Sequence, residues 1–193
     1  MELLKEKIFQ VIEEQLGIKE FEDWLYQQND LAEMMDQDLI LELFSFNYNQ
    51  NAANYIFKNS LLPYFDQEEF ANWKIMANLN DLVIGRGNTE RILADFNDMS
   101  LEEYPFLTDL GYYRFYFEDC EYTGRSREGL QKDLQMEAES LLGEIQEFQV
   151  MDSAFDLKNF VSKQQLIENL KYNNAVNQII SSGNGKKWWE FWK

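Results

Sequence analysis

Histidine is absent from this chain, and cysteine occurs once, at Cys120. The commonest general base, the commonest metal ligand and every thiolate pair are therefore missing. A single cysteine also forbids an intramolecular disulfide, which suits a reducing cytoplasm better than secretion. Only two prolines and nine glycines interrupt 193 residues, a scarcity that favours long helices over a many-turned β fold. No stretch approaches the roughly 20 apolar residues that a membrane span requires. The N-terminus, MELLKEKIFQVIEEQ, is charged every few residues and lacks the apolar core of a secretory signal. Basic residues are scarce too, 17 against 35 acidic ones, for a formal charge of −18.

What is present is core-forming material: 45% hydrophobic residues, with 15 Phe, 10 Tyr and 5 Trp, so disorder is not expected. The acidity is uneven. Residues 1–122 hold 25 acids and 8 bases, whereas residues 123–193 hold 10 and 9. The stretch from Glu20 to Glu42 is densest and contains no Lys or Arg. A solvated helix surface explains such a run, and so does a face that steers a basic protein partner. Phosphate-rich nucleic acid is the partner it should repel.

Leu4, Ile8, Val11, Ile12 and Leu16 trace one face of a first helix, with Gly17 placed to end it. Phe21, Trp24 and Leu25 mark a short second helix. Leu39 to Phe46 is nearly continuous in apolar residues and reads equally as buried helix or strand. Ala53, Ile56, Phe57, Ser60, Leu61 and Tyr64 are helical in spacing, ending near Pro63. Three capping boxes follow: Asp66 with Glu69, Ser100 with Glu103, and Ser162 with Gln165. Trp73, Met76 and Ala77 continue an apolar face after the first box, and Ile92, Leu93 and Phe96 mark a short helix before the second. Tyr112 to Tyr122 packs six aromatics into eleven residues, a composition that leans towards strand, with an aromatic helix as the competing reading. Leu130, Leu134, Leu141, Leu142, Ile145 and Phe148 draw the clearest amphipathic helix. The last box opens a helix through Leu170, Val176, Ile179 and Ile180. The expected fold is mainly α, an irregular multi-helix bundle with a short β element around residues 112–122 as an option. It is expected as one acidic helical domain over 1–183, followed by an aromatic and basic tail over 184–193.

Chemistry finds little support in these residues. Cys120 lies between Asp119 and Glu121, the opposite of the electropositive setting of a reactive thiolate. Asp95 and Asn97 match the first and third positions of a calcium loop, but Met99 and Ser100 break the pattern at the fifth and sixth. Gly85-Arg86-Gly87 has neither a Walker lysine nor a dinucleotide fingerprint around it and reads as a connector. No cofactor, no metal and no catalytic residue is expected, so the chain is not expected to be an enzyme. In the tail, Trp188, Trp189, Phe191 and Trp192 stand among lysines. They can plug a groove on the domain, dock another protein, or lie among lipid headgroups.

Phe21-Glu22-Asp23-Trp24-Leu25-Tyr26, followed by DLILELFSFNY over residues 38–48, resembles a pattern of small bacterial immunity proteins from contact-dependent or polymorphic toxin systems. The resemblance spans about residues 15–75. It implies a cytoplasmic antidote that binds and neutralises a cognate toxin, here a basic toxin domain. The candidate partner-binding residues are Glu22, Asp23, Tyr26, Asp30, Glu33, Asp36, Asp38, Glu42 and Tyr48. An adaptor or assembly protein docking through the Trp-rich tail is the alternative. Neither nucleic-acid binding nor stable membrane insertion is expected.

Overall fold

The computed structural model describes residues 2–28, 36–151 and 155–172. They are mainly α-helical, and no strand occurs among them. None of the described helices is long and apolar enough to cross a membrane. The chain divides into two compact units, Met1–Asp81 and Leu82–Lys193.

The first unit is built from α1 (Glu2–Ile12), α2 (Ile18–Leu25), α3 (Gln37–Ser45), α4 (Ala53–Leu61) and most of α5 (Gln67–Ile84). Helix α1 buries Leu4, Ile8, Phe9, Val11 and Ile12 against α2 and α4. Its end departs from expectation. Glu14 takes the left-handed conformation at φ 56°, and Gly17, at φ −65°, instead stands at the N-cap of α2. Two carbonyl bonds explain the early stop, because the N–H groups of Gln15 and Leu16 both reach the Gln10 carbonyl at 2.8 and 3.1 Å. The Leu39–Phe46 run resolves as helix: Asp36 caps α3 by accepting from the Asp38 N–H at 2.8 Å, and Leu39 and Leu43 turn inward. The core is aromatic. Phe9 meets Phe65 and Phe70 edge-on at 5.0 Å, and Phe57 meets Phe21 at 5.4 Å and Phe46 at 5.3 Å. Phe9, Phe21 and Phe57 are fully buried, and each contributes on the order of 2–3 kcal/mol, while Phe46, Phe65 and Phe70 are half-buried around them.

The Asp66 cap forms as expected, with its carboxylate accepting from the Glu69 N–H at 2.9 Å, and the staple residues Phe65 and Phe70 pack on the core. The Glu69 carboxylate goes to Lys5 of α1, so the capping residue pair also ties α5 to α1. The buried face of α5 differs from the expected Trp73, Met76 and Ala77. Ile75, Asn78, Leu79 and Leu82 are the fully buried positions, and Trp73 lies at the edge of the core.

In the second unit, Gly85 and Gly87 both adopt positive φ, 68° and 76°, a conformation that glycine reaches without a Cβ penalty. Asn88 then caps α6 (Thr89–Glu102) by accepting from the Arg91 N–H at 3.1 Å. The expected box at Ser100 is a correction. Ser100 lies inside α6, where its hydroxyl donates to the Asn97 carbonyl at 2.7 Å instead of capping a new helix.

The strand option for residues 112–122 is also overturned. The segment forms α7 (Thr108–Glu118) and the short α8 (Cys120–Thr123). Leu110, Gly111 and Tyr113 are buried, while Tyr112, Phe115 and Tyr116 face outward. Gly111 lets α7 approach the α6 backbone at Asn97, and Arg114 pairs with Glu118 one turn on, at 3.3 Å. Tertiary packing on a helix thus outweighs the β preference of the aromatics. Helix α9 (Arg127–Met151) buries Leu130, Leu134, Ala138, Leu141, Leu142 and Ile145. Phe148 is more exposed, its ring meeting Phe160 edge-on at 5.4 Å. The last capping box is reciprocal. Ser162 and Gln165 exchange two hydrogen bonds of 3.3 Å, opening a helix described over 163–172. Val176, Ile179, Ile180 and the tail residues Trp188, Trp189, Phe191 and Trp192 lie outside the described residues.

Candidate functional site

Helix α2 turns Phe21 and Leu25 into the core, which leaves Glu20 and Asp23 in solvent and Glu22 half-buried, paired with Lys19 at 2.9 Å. The helix stops at Tyr26, whose N–H bonds the Glu22 carbonyl at 3.1 Å and whose ring is 57% exposed. Helix α3 follows the same logic. With Leu39 and Leu43 inward, Leu41 and Phe44 face outward at 68% and 41% exposure. Leu41 and Phe44 are one turn apart, and Asp38 shares its face with Leu41 and Glu42. The Phe44 ring meets Tyr26 edge-on, centroids 5.6 Å apart. An exposed aromatic pair thus stands beside a bulky aliphatic side chain on helices that carry acids and no described base except Lys19.

The candidates divide accordingly. Tyr26, Asp23 and Asp38 are exposed and Glu22 and Glu42 are half-buried, all on α2 or α3 or at their ends. Asp36 is exposed, but its carboxylate is engaged as the α3 cap. Tyr48 is a correction. It is 3% exposed, and its hydroxyl donates to the Leu43 carbonyl at 2.8 Å, so it closes the end of α3 and cannot anchor a partner. Burial, with Tyr26 and Glu22 nearby, pushes its phenol well above the usual range. Asp30 and Glu33 lie outside the described residues. Leu41 and Phe44 were hidden from sequence reasoning inside an apolar run. Helical phasing exposes them: once Leu39 and Leu43 define the inner face, positions 41 and 44 fall outside it.

The second unit holds a different cluster. Burial raises the Asp109 carboxyl above its ordinary range, and the Glu168 charge adds to this. Burial likewise raises Glu137, assisted by Asp109 and Asp133, while a hydrogen bond with Tyr113 pulls it partly back. Such groups hold protons in the folded chain at a pH where the unfolded chain has released them, so folding strengthens as pH falls towards that window. The second unit should therefore gain stability on acidification from pH 7 to just above the ordinary carboxylate range of about 4. Asp109→Asn with Glu137→Gln should raise stability at pH 7 and flatten the profile. Chemical denaturation at stepped pH checks this, and an unchanged slope in the double variant would refute it.

Comparison with protein-family models, curated proteins and solved structures finds no match to this chain.

Proposed function

We propose that this chain is a stoichiometric protein inhibitor, an immunity protein whose α2–α3 face holds a basic toxin domain in the bacterial cytoplasm. The observation that carries the reading is the exposed Tyr26–Phe44 pair with Leu41 beside it, on helices bearing Glu22, Asp23, Asp38 and Glu42. Inhibition by occlusion needs shape and charge and no catalytic group, in keeping with a chain that has no histidine. The division of labour follows from physics. Exposed carboxylates accelerate encounter with a cationic surface, and buried aromatic anchors slow its release.

Genes beside this one supply the test. A neighbouring product that stops growth when expressed alone should be neutralised by this chain. Tyr26→Ala and Phe44→Ala should each weaken the complex by about 2 kcal/mol, chiefly through faster dissociation. Reversing Asp23 and Asp38 to lysine should slow association, most strongly at low salt. Removing residues 184–193 should leave neutralisation intact, whereas its loss would favour an adaptor working through the tail. If no neighbouring product is toxic, or if growth is not restored, the antidote reading fails.

A further inference from the structure

All five arginines of this acidic chain fall between Arg86 and Arg127. The fold gathers three of them, Arg91 of α6, Arg114 of α7 and Arg127 of α9, around one cleft of about 1090 Å³ in the second unit. That volume is slightly above the range of about 300–1,000 Å³ typical of small-molecule sites, so it has room for one. We propose that this cleft binds a phosphate-bearing small molecule, with these three guanidinium groups as its anion ligands.

The geometry supports this beyond the count. Arg127 lies over the face of Phe117 at 5.7 Å, and neighbouring Arg125 lies over Tyr116 at the same distance. Stacking of this kind places a guanidinium plane without consuming its N–H donors, which leaves the edge of the group to grip an oxyanion. Asn88, Thr89 and Glu90, at the start of the fourteen-residue α6, also line the cleft, adding the positive end of a helix dipole. Three arginines on three helices suit a tetrahedral phosphate better than a carboxylate, which offers only two oxygens.

Glu90, Glu118 and Glu121 share the lining. Glu118 pairs with Arg114 at 3.3 Å, and Glu90 pairs with Arg127 at 3.6 Å. Both pairs are largely exposed, where such contacts are weak, so each guanidinium exchanges readily onto a bidentate phosphate. The bound anion is thus expected to compete with these carboxylates. This role is separate from protein docking by α2 and α3.

Titration of the full chain with inorganic pyrophosphate, at matched ionic strength, tests the proposal. Saturable binding is expected, and Arg114→Gln and Arg127→Gln should each weaken it about tenfold or more. Both side chains are exposed, so these variants retain the fold. Glu118→Gln should tighten binding by removing a competitor. Lys163→Gln, a control at a cation paired with Glu147 away from the cleft lining, should change nothing. Absence of saturable binding at millimolar pyrophosphate would overturn the proposal. So would equal weakening by Lys163→Gln, or no response to Glu118→Gln.

Discussion

Lys74→Met should destabilise the first unit by ~3–5 kcal/mol, the range seen when one partner of a buried ion pair is removed. Glu13 is 2% exposed, and its carboxylate meets the Lys74 ammonium at 3.1 Å. Methionine matches the length of the lysine stem on α5, so the apolar contacts of that stem are largely kept and the change isolates charge. A nearly buried carboxylate that loses the opposing ammonium loses the charge that most directly offsets its desolvation. A loss of this size is a large fraction of the total stability of an ordinary domain, about 5–15 kcal/mol. The double variant Glu13→Gln/Lys74→Met should recover most of it, since no charge then remains to desolvate. Chemical denaturation of the three proteins decides the matter. A double variant as unstable as Lys74→Met would mean that lost packing, and not charge, is responsible.

Gly111→Ala should cost the second unit about 1–3 kcal/mol, the usual penalty of overpacking. In an open helix the same change is worth up to about 1 kcal/mol of gain, because alanine restricts the unfolded chain and favours helix. At Gly111 the added Cβ would stand 2.8 Å from both the Cα and the N of Asn97, which is backbone and cannot rotate away. Helices α6 and α7 would have to separate. Gly143 of α9 is the natural comparison, since a Cβ there meets nothing within 4 Å. Gly143→Ala should stabilise by about 0.5–1 kcal/mol. Opposite signs for these two substitutions in thermal melts are the expected result. A neutral or stabilising Gly111→Ala would show that the α6–α7 contact yields more easily than its geometry implies.

The candidate site was half legible before the structure. Tyr26, Asp23 and Asp38 could be chosen from a run of acids beside an aromatic, and they do lie exposed. Tyr48 was equally plausible by composition, yet it belongs to the core, because its hydroxyl finds the Leu43 carbonyl and its ring packs with Phe46 at 5.0 Å. Whether a tyrosine anchors a partner or closes a helix depends on where its oxygen is satisfied, and that is a three-dimensional fact. Phe44 was invisible for the converse reason. In an unbroken apolar run every position looks buried until the helical phase is known.

By itself, the sequence determined helicity, the helix starts at Asp66 and Ser162 and the absence of histidine chemistry. These depend on local physics: 3.6-residue periodicity, Asp66 and Ser162 capping neighbours three positions away, and the scarcity of proline and glycine. Tertiary structure alone decided the rest. The aromatic stretch from Tyr112 became helical because Gly111 could sit against Asn97, and that packing outweighs the ordinary β preference of the rings. Ser100 was absorbed into α6 because the helix begun at Asn88 propagates more cheaply than a new one nucleates. The arginines at 91, 114 and 127 came to line one cleft because α6, α7 and α9 pack together, a consequence of contacts between residues far apart in the chain that no local window contains.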